Sequence, residues 1–261
     1  MMRKLKIKNK ITPYYKNDFG ELYHGKCEDI VPKLNLCVDM ILCDPPYGTT
    51  QNKWDSIIPL DKMWSFIWKN SKANASIVMT ASTPFDKILG CSCIKDLKYE
   101  WIWSKNKASG HLNAKKMPMK GHENILVFYK KLPTYNPQMT TGHKPMNYAI
   151  NKNSSSNYGQ QIPTVCNEGT TSRYPKTVQF FPVLNNDNKE RFHPTQKPVE
   201  LFEYLVKTYT NECELVLDFA AGSGTTAIAC QNLNRKWIMV EKEKEYCDLI
   251  VERLLKYEKK H

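Results

Sequence analysis

The stretch ELVLDFAAGSGTTAIACQNL, residues 214–233, constrains the fold more than any other part of the chain. Its apolar start predicts a strand, its Gly-x-Gly step predicts a tight turn, and the apolar run after the turn predicts a helix. The next stretch, RKWIMVEKE at 235–243, predicts a second strand that ends in acidic residues. A strand–helix–strand alternation implies a mostly parallel sheet. The chain is therefore expected to have an α/β fold.

Further apolar segments extend this pattern along the chain. Near-continuous apolar runs predict four strands buried on both faces, at VDMILCD (38–44), ASIVMTAS (75–82), YEWIWSK (99–105) and NILVFYK (124–130). Helical spacing of apolar residues predicts four helices, at 61–71, 83–91, 198–210 and 245–260. Thr83 is the expected cap of the second helix, with Pro84 at its first position.

Residues 131–192 have a different composition, rich in Pro, Asn, Ser, Thr and Tyr. Helix or strand spacing is weak there, except in TVQFFPVL at 177–184. A segment of this length without regular structure inside a compact chain is either functional or disordered. Its tyrosines argue against pure disorder.

The composition limits the classes of protein to which the chain can belong. Its 261 residues suffice for one large domain, or for one core with a substantial insertion. The net charge is +12, and residues 101–190 hold 12 Lys and Arg against 4 Asp and Glu. This excess suits nucleic acid as a partner, although a solvated lysine-rich surface explains it equally well.

The nine cysteines lack paired metal-ligand spacing, so no metal site is expected. Without a membrane-spanning run or a signal-peptide core, a cytoplasmic protein with no membrane partner is expected.

The Gly-x-Gly turn is typical of a site for a nucleotide-type cofactor. Gly222 and Gly224 allow backbone and ligand to approach closely, but the third glycine of the dinucleotide fingerprint is missing. Glu241, at the tip of the next strand, is well placed to accept both ribose hydroxyls. The pattern indicates an adenosine-containing cofactor without a pyrophosphate, and S-adenosylmethionine fits that description. A generic strand–turn–helix with a surface glutamate is the alternative.

The stretch LCDPPYG, residues 42–48, ends a predicted strand, because two prolines cannot donate ladder hydrogen bonds. A turn with a capping aspartate would explain it, but the same residues also have a specific chemical use. The carboxylate of Asp44 and the rigid carbonyl of Pro45 can accept hydrogen bonds from the two N–H groups of an exocyclic amine of adenine or cytosine. The nitrogen lone pair then points outward, towards a sulfonium methyl. Tyr47 can stack on the extruded base.

These motifs resemble those of the S-adenosylmethionine-dependent DNA amino-methyltransferases. DPPY resembles their catalytic motif, the turn at 218–226 their cofactor motif, and HPTQKPVELFEYLV (193–206) the segment that precedes it. The order, with the catalytic motif first and the cofactor motif last, is similar to the β-type arrangement, over about residues 20–255. The resemblance implies a three-layer, Rossmann-like α/β fold with a mixed seven-stranded sheet, in one methyltransferase domain spanning 1–261.

The resemblance also divides the chain by role. Residues 20–130 would form the catalytic half, 193–261 the cofactor half, and 105–192 a DNA target-recognition region. The composition of that region agrees, since Lys and Arg suit phosphates while Asn, Gln, Ser and Thr suit base edges. The implied reaction is methylation of adenine N6 in double-stranded DNA, because DPPY is commoner in adenine enzymes of the family. A cytosine N4 enzyme would use the same acceptor pair.

The matching motifs imply roles for individual residues. The implied catalytic residues are Asp44, Pro45, Pro46 and Tyr47. The implied cofactor-binding residues are Asp218, Phe219, Ala220, Gly222, Ser223, Gly224, Thr225 and Glu241, with Cys27, Thr195, Gln196 and Lys197. The candidate DNA contacts are Lys53, Lys105, Lys115, Lys116 and Arg173. A polar loop is the alternative for the segment around Lys197, and a surface arginine for Arg173.

Two positions depart from the family pattern. Ala220 stands where an aromatic residue is usual, so either another ring covers the cofactor or binding is weaker. Lys26 stands at a usual Asp position, where the backbone of Cys27 or the side chain of Asp29 would have to substitute. Rival interpretations are a non-catalytic DNA-binding protein with a degenerate methyltransferase fold, and a methyltransferase acting on RNA or a protein amide. The resemblance also allows a homodimer and a cognate restriction endonuclease as partners.

Overall fold

The described residues form one sheet of nine strands with helices on both faces. The structure is a computed structural model, and it describes residues 11–50, 52, 55–145, 169–183 and 196–258. The strands are β1 (Tyr15–Lys16), β2 (Gly20–His24), β3 (Val38–Cys43), β4 (Ser71–Ala81), β5 (Leu97–Ser109), β6 (Lys120–Phe128), β7 (Val178–Phe180), β8 (Leu215–Asp218) and β9 (Lys236–Glu241). The helices are α1 (Cys27–Leu34), α2 (Leu60–Asn70), α3 (Phe85–Ser92), α4 (Val199–Tyr209), α5 (Thr225–Asn232) and α6 (Lys244–Glu258).

The strands lie in the order β1-β2-β9-β8-β3-β4-β6-β5-β7. The strands from β2 to β4 in this order pair in parallel, whereas β6 is antiparallel to both β4 and β5. The predicted mixed α/β sheet is thereby confirmed, but the described part of it has nine strands rather than seven. The short strands β1 and β7 occupy the two edges. β1 is too brief to show a period in the sequence, whereas β7 lies within the stretch TVQFFPVL.

Each face of the sheet packs against its own group of helices. In β3, Met40 and Leu42 point to one face while Ile41 and Cys43 point to the other, as alternation along a strand requires. Helices α4, α5 and α6 cover the first face, and α1, α2 and α3 cover the second. Because both faces are covered, the central strands appear in the sequence as almost continuous apolar runs.

The helix predicted after the Gly-x-Gly turn occurs as α5, and the other four predicted helices occur as α2, α3, α4 and α6, with ends shifted by one or a few residues. The predicted cap of α3 is wrong. The helix begins at Phe85, and the hydroxyl of Thr83 donates to the carboxylate of Asp86 at 3.3 Å instead of accepting from a backbone N–H. None of the helices in the described ranges is long and apolar enough to cross a lipid bilayer.

The chain divides into two compact units, Met1–Asn136 with Thr177–His261, and Pro137–Lys176. The first unit holds the sheet and all six helices named above. In the second unit, an isolated β-bridge joins Thr140 to Arg173. The predicted target-recognition region, 105–192, therefore includes the whole second unit together with parts of the first.

Candidate active site

Acidic residues at the carboxyl ends of three parallel strands meet at one edge of the sheet. Asp44 follows β3, Asp218 ends β8 and Glu241 ends β9. All three line one cavity of about 340 Å³. Most residues of the two predicted motifs line the same cavity, namely Pro45, Pro46, Tyr47, Phe219, Ala220, Gly222, Ser223 and Thr225. The fold thus brings together two motifs that lie far apart in the sequence.

Asp44 is held through both of its carboxylate oxygens. Its Oδ1 accepts hydrogen bonds from the Tyr47 hydroxyl at 2.6 Å and from the Thr80 hydroxyl, and its Oδ2 accepts from the Lys197 ammonium at 2.6 Å. Burial would raise the pKa of Asp44, but the charge of Lys197 and these hydrogen bonds outweigh burial and hold the pKa below its ordinary value. The side chain keeps 27% of its surface exposed, so an amine can reach it. Asp44 is therefore a fixed carboxylate, suited to accepting a hydrogen bond rather than a proton.

Lys197 lies just before α4, buried between two acids. Its ammonium is 2.6 Å from Asp44 Oδ2 and 3.4 Å from Glu123 Oε2. Burial would lower the pKa of Lys197, but the two carboxylates outweigh burial and hold the pKa above its ordinary value. The sequence predicts Lys197 as a cofactor residue; it lines the shared cavity and also contacts the carboxylate of Asp44. Glu123 and Thr80 belong to no recognised motif, so the sequence does not indicate their part in the site.

Lys105, in the half of β5 nearer the tip of the β5–β6 hairpin, adds another charge next to Glu123. It forms an ion pair with Glu123, and its ammonium lies 4.6 Å from the centre of the Trp103 ring. Only 8% of the Lys105 side chain is exposed. This geometry does not support Lys105 as a phosphate contact, because its charge is neutralised inside the protein. Lys115 and Lys116 are both exposed, so they remain candidates for DNA contact.

Tyr47 is held at its hydroxyl and along its ring. The hydroxyl donates to Asp44 and lies 2.9 Å from the Thr80 hydroxyl. The ring stacks on Phe85, with 5.4 Å between centroids and 22° between planes. The Lys197 ammonium lies 5.7 Å from the ring centre. The structure therefore presents an aromatic ring and a carboxylate side by side to the cavity.

The loop after DPPY is fixed by Asp55, a residue that belongs to none of the motifs recognised in the sequence. The Asp55 carboxylate accepts backbone N–H groups from Gly48, Thr49 and Thr50 at 2.8, 2.9 and 2.7 Å. Burial would raise the pKa of Asp55, but hydrogen bonds from the Thr50 hydroxyl and the three N–H groups hold it below its ordinary value. Thr49 and Thr50 line the cavity, so this loop forms one of its walls. Lys53, the DNA contact predicted in this loop, lies outside the described residues.

The glycine turn between β8 and α5 contains two left-handed residues. Gly222 has φ +53° and Gly224 has φ +74°, values that other residues rarely adopt. A Cβ on Gly224 would lie 3.0 Å from Ile250, whereas a Cβ on Gly222 would meet nothing within 4 Å. Gly222 therefore borders open space in the cavity, where a ligand can approach the backbone, while Gly224 allows the turn to pack on α6.

Glu241 faces this turn from the end of β9 and is only 7% exposed. Its Oε2 accepts from the Gly222 N–H at 2.8 Å, and its Oε1 accepts from the Glu243 N–H at 2.9 Å. Burial raises the pKa of Glu241 above its ordinary value, although the backbone hydrogen bonds oppose that change. Each oxygen keeps a second acceptor position, so the carboxylate can still accept hydrogen bonds from two hydroxyl groups. This arrangement fits the ribose of an adenosine-containing cofactor.

Asp218 and Arg253 brace the turn from inside the protein. The Thr226 hydroxyl donates to Asp218 Oδ2 at 2.5 Å, and burial raises the pKa of Asp218 to about 7. The Arg253 guanidinium donates to the carbonyl of Ser223 at 2.8 Å and to the Thr225 hydroxyl at 3.1 Å. These contacts give the turn a defined shape before any ligand is bound.

Aromatic cover is available to the cavity despite Ala220. Phe219 does not supply it, since its ring packs edge-on against Phe66 in the core, with 5.3 Å between centroids. Phe202 on α4 and Tyr246 on α6 are both among the residues that line the cavity. Cover of the cofactor by one of them, in place of the aromatic residue that the family pattern has at the Ala220 position, stays a prediction.

The start of α1 supplies a further part of the wall. Lys26, Cys27 and Glu28 line the cavity, whereas Asp29 is exposed and is not among the lining residues. Glu28 is therefore the acidic residue of α1 that lines the cavity, and substitution by Asp29 stays a prediction that the position of Asp29 does not support. Gln196 also lines the cavity, and Thr195 lies outside the described residues.

Arg173 lies in the second unit. Its guanidinium donates to the carbonyls of Thr170, Ser172 and Lys144 at 3.0, 2.9 and 2.5 Å. These bonds join two segments of that unit, so part of the guanidinium is engaged within it. A DNA contact at Arg173 stays a prediction.

Comparison with known proteins agrees with the two motifs and the sheet. Residues 38–252 match the N6/N4 methyltransferase family, which is described as DNA methylase. Type II methyltransferase M.BglII of Bacillus subtilis is 32% identical, covering 91% of this chain and 69% of that protein. DNA adenine methyltransferase YhdJ of Escherichia coli (strain K12) is 26% identical, covering 91% and 83%. The solved M1.HpyAVI–SAM complex is 25% identical, with a TM-score of 0.62, covering 90% of this chain and 98% of that chain.

Proposed function

The chain belongs to the N6/N4 family of DNA methylases, and we propose that the amine it methylates is N6 of adenine in double-stranded DNA. Methyl transfer to DNA with S-adenosylmethionine as donor accords with the family, the fold and the cavity. One observation carries the proposal: Asp44 lines the same cavity as Gly222 and Glu241. A target amine and an adenosine-type cofactor can therefore meet in one place.

The reaction requires the amine nitrogen to expose its lone pair. The carboxylate of Asp44 would accept a hydrogen bond from one N–H of the amine, and the carbonyl of Pro45 would accept a hydrogen bond from the other. The bound cofactor supplies an electrophilic methyl group on a sulfonium. Because Asp44 is paired with Lys197, it is a weak base, so the proton lost from the amine would pass to water. The chain thus contributes orientation and electrostatics, which account for much of catalysis when both reactants are held in line.

Adenine is favoured over cytosine by two observations. DPPY resembles the form of the motif that is commoner in adenine enzymes, and one relative is named as a DNA adenine methyltransferase. Cytosine N4 is the alternative, because the same acceptor pair fits both amines and the family covers both.

Nucleoside mass spectrometry of genomic DNA would decide between the two bases. The chain is expressed in a bacterial host that lacks its own adenine and cytosine methylation, with Asp44→Ala as the matched control. We expect N6-methyladenine to appear only with the wild-type chain. N4-methylcytosine without N6-methyladenine would overturn the assignment of adenine, and neither base in DNA would contradict the proposed function.

Replacing Glu241 by glutamine is expected to weaken S-adenosylmethionine binding by roughly 10- to 100-fold. The amide nitrogen cannot accept, so either the Gly222 N–H or a ribose hydroxyl loses its acceptor. Calorimetric titration with S-adenosylmethionine measures the effect. Glu243→Gln is the control, because Glu243 meets this site through its backbone N–H. Equal affinities for the two variants would contradict the role of Glu241.

A further inference from the structure

A hairpin tip extends from the active-site edge of the sheet. In the β5–β6 hairpin, Ser109 and Lys120 are the paired residues nearest the tip. The Lys120 ammonium lies 3.0 Å from the carbonyl of Thr83, just beyond the end of β4. Near that end of β4, Thr80 donates a hydrogen bond to Asp44. The tip therefore projects from the same edge of the sheet as the catalytic carboxylate.

This hairpin tip, residues 110–119, is both apolar and basic. Leu112 is 87% exposed and Met117 is 55% exposed. Lys115 and Lys116 are exposed beside them, and the tip contains no Asp or Glu. Clustered exposed apolar side chains mark an interaction site, and the lysines select a negatively charged partner. A DNA duplex offers both stacked bases and phosphates within a few ångströms of each other.

The proposed function creates a need for such a contact, and the inference rests on that function. An amine inside a duplex cannot enter a cavity at a sheet edge unless its base leaves the stack. Leaving the stack costs unstacking energy, and an apolar side chain inserted between base steps can offset part of it. We propose that Leu112 enters the duplex at the step from which the target base departs, while Lys115 and Lys116 hold the flanking phosphates.

Leu112 is the best placed apolar side chain of the tip for this role. It lies in the middle of a 3₁₀ turn, His111–Asn113, which follows Gly110 in a left-handed conformation of φ +89°. It is also the most exposed of the large apolar side chains at the tip. A short turn at the far end of a hairpin can enter a groove without the sheet itself approaching the duplex.

Leu132 provides a matched control, because it is also a highly exposed leucine, at 78%. It follows β6, which runs antiparallel to β4, so it lies toward the opposite edge of the sheet from Asp44. Leu112→Ala and Leu132→Ala remove the same atoms from exposed positions, and neither is expected to alter folding.

The test uses two readouts on the same duplexes. The recognised sequence is first selected by binding from random duplexes, and 2-aminopurine is then placed at each adenine of that sequence in turn. Wild type and Leu132→Ala are expected to raise the fluorescence of one such position by unstacking it, and Leu112→Ala is expected to lose most of that rise. For Leu112→Ala, kcat/KM on intact duplex should fall by about tenfold or more. It should return to within about threefold of wild type when the target base faces an abasic site.

Two results would overturn the proposal. In the first, Leu112→Ala matches wild type in both the fluorescence rise and kcat/KM. In the second, Leu112→Ala loses the same fraction of kcat/KM on the intact duplex and on the abasic duplex. If wild type transfers no methyl group to any duplex, the proposed function fails. A fluorescence rise that requires Leu112 would then still support the insertion, whereas no rise with wild type would refute it.

Discussion

Asp44→Ala is expected to lower the rate of methyl transfer to duplex DNA by about 10³-fold, or about 4 kcal/mol of transition-state stabilisation. Its affinity for S-adenosylmethionine should stay within about threefold of wild type. The carboxylate is held by Tyr47, Thr80 and Lys197 on the proposed amine side of the cavity, whereas Gly222 and Glu241 lie on its proposed cofactor side. Replacing Asp44 therefore removes a hydrogen-bond acceptor for the target amine. This hydrogen bond is needed in the transition state, where the amine nitrogen becomes tetrahedral.

Single-turnover kinetics with labelled S-adenosylmethionine, combined with calorimetric titration, would measure both quantities. Asp61→Ala is the matched control, because Asp61 is exposed in the first turn of α2 and does not line the cavity. Appreciable transfer by Asp44→Ala would show that amine activation does not depend on this carboxylate. Loss of cofactor affinity in parallel with the rate would show instead that Asp44 supports cofactor binding.

Lys197→Met is expected to lower kcat by about 10²-fold and to move the acidic limb of the pH profile to higher pH. Lys197 is the main influence that lowers the pKa of Asp44. Without the ammonium, burial is opposed by hydrogen bonds alone, so the pKa of Asp44 rises. The active carboxylate is then protonated at a higher pH than in wild type, and activity is lost from that pH downward.

A control variant separates the loss of charge from a loss of folding. Lys197→Arg keeps the charge and should keep the acidic limb near its wild-type position. Glu123 keeps its ion pair with Lys105 in Lys197→Met, so the methionine leaves Asp44 as the carboxylate that loses its charged partner. An unchanged acidic limb in a folded Lys197→Met variant would contradict the influence of Lys197 on Asp44.

The central sheet could be predicted from the sequence because its strands are covered on both faces. β3, β4, β8 and β9 leave short apolar runs that are bounded by turn residues, and their short length favours buried strands over helices. α1 was not predicted because Pro32 lies inside it and interrupts the helical pattern. β7 begins and ends within TVQFFPVL, but its pairing with β5 depends on contacts that are remote in sequence.

The residues of the site that the sequence predicts belong to motifs of a few consecutive residues. Asp44, Tyr47 and Gly222 stand in short motifs whose residue types suffice to suggest their use. Thr80 and Glu123 meet Asp44 and Lys197 only because β4 lies between β3 and β6. That order is a property of the folded sheet. In the sequence, the position of Glu123 at the start of the apolar run ENILVF is the one feature that indicates an acidic residue at a strand end.

The resemblance to known methyltransferases also suggested partners. Double-stranded DNA accords with the family of the chain. A homodimer and a cognate restriction endonuclease stay predictions, as does reading of the recognition sequence by the region 105–192. Sedimentation of the purified chain with and without DNA would measure the first of these.

Transfer of a deuterated methyl group tests the central claim most directly. The purified chain is incubated with methyl-deuterated S-adenosylmethionine and unmethylated duplex DNA, and the digested nucleosides are analysed by mass spectrometry. We predict the label on the exocyclic amine of adenine in the wild-type reaction, and its absence with Asp44→Ala. A chain that binds both S-adenosylmethionine and duplex DNA but leaves no label in the DNA would contradict the claim.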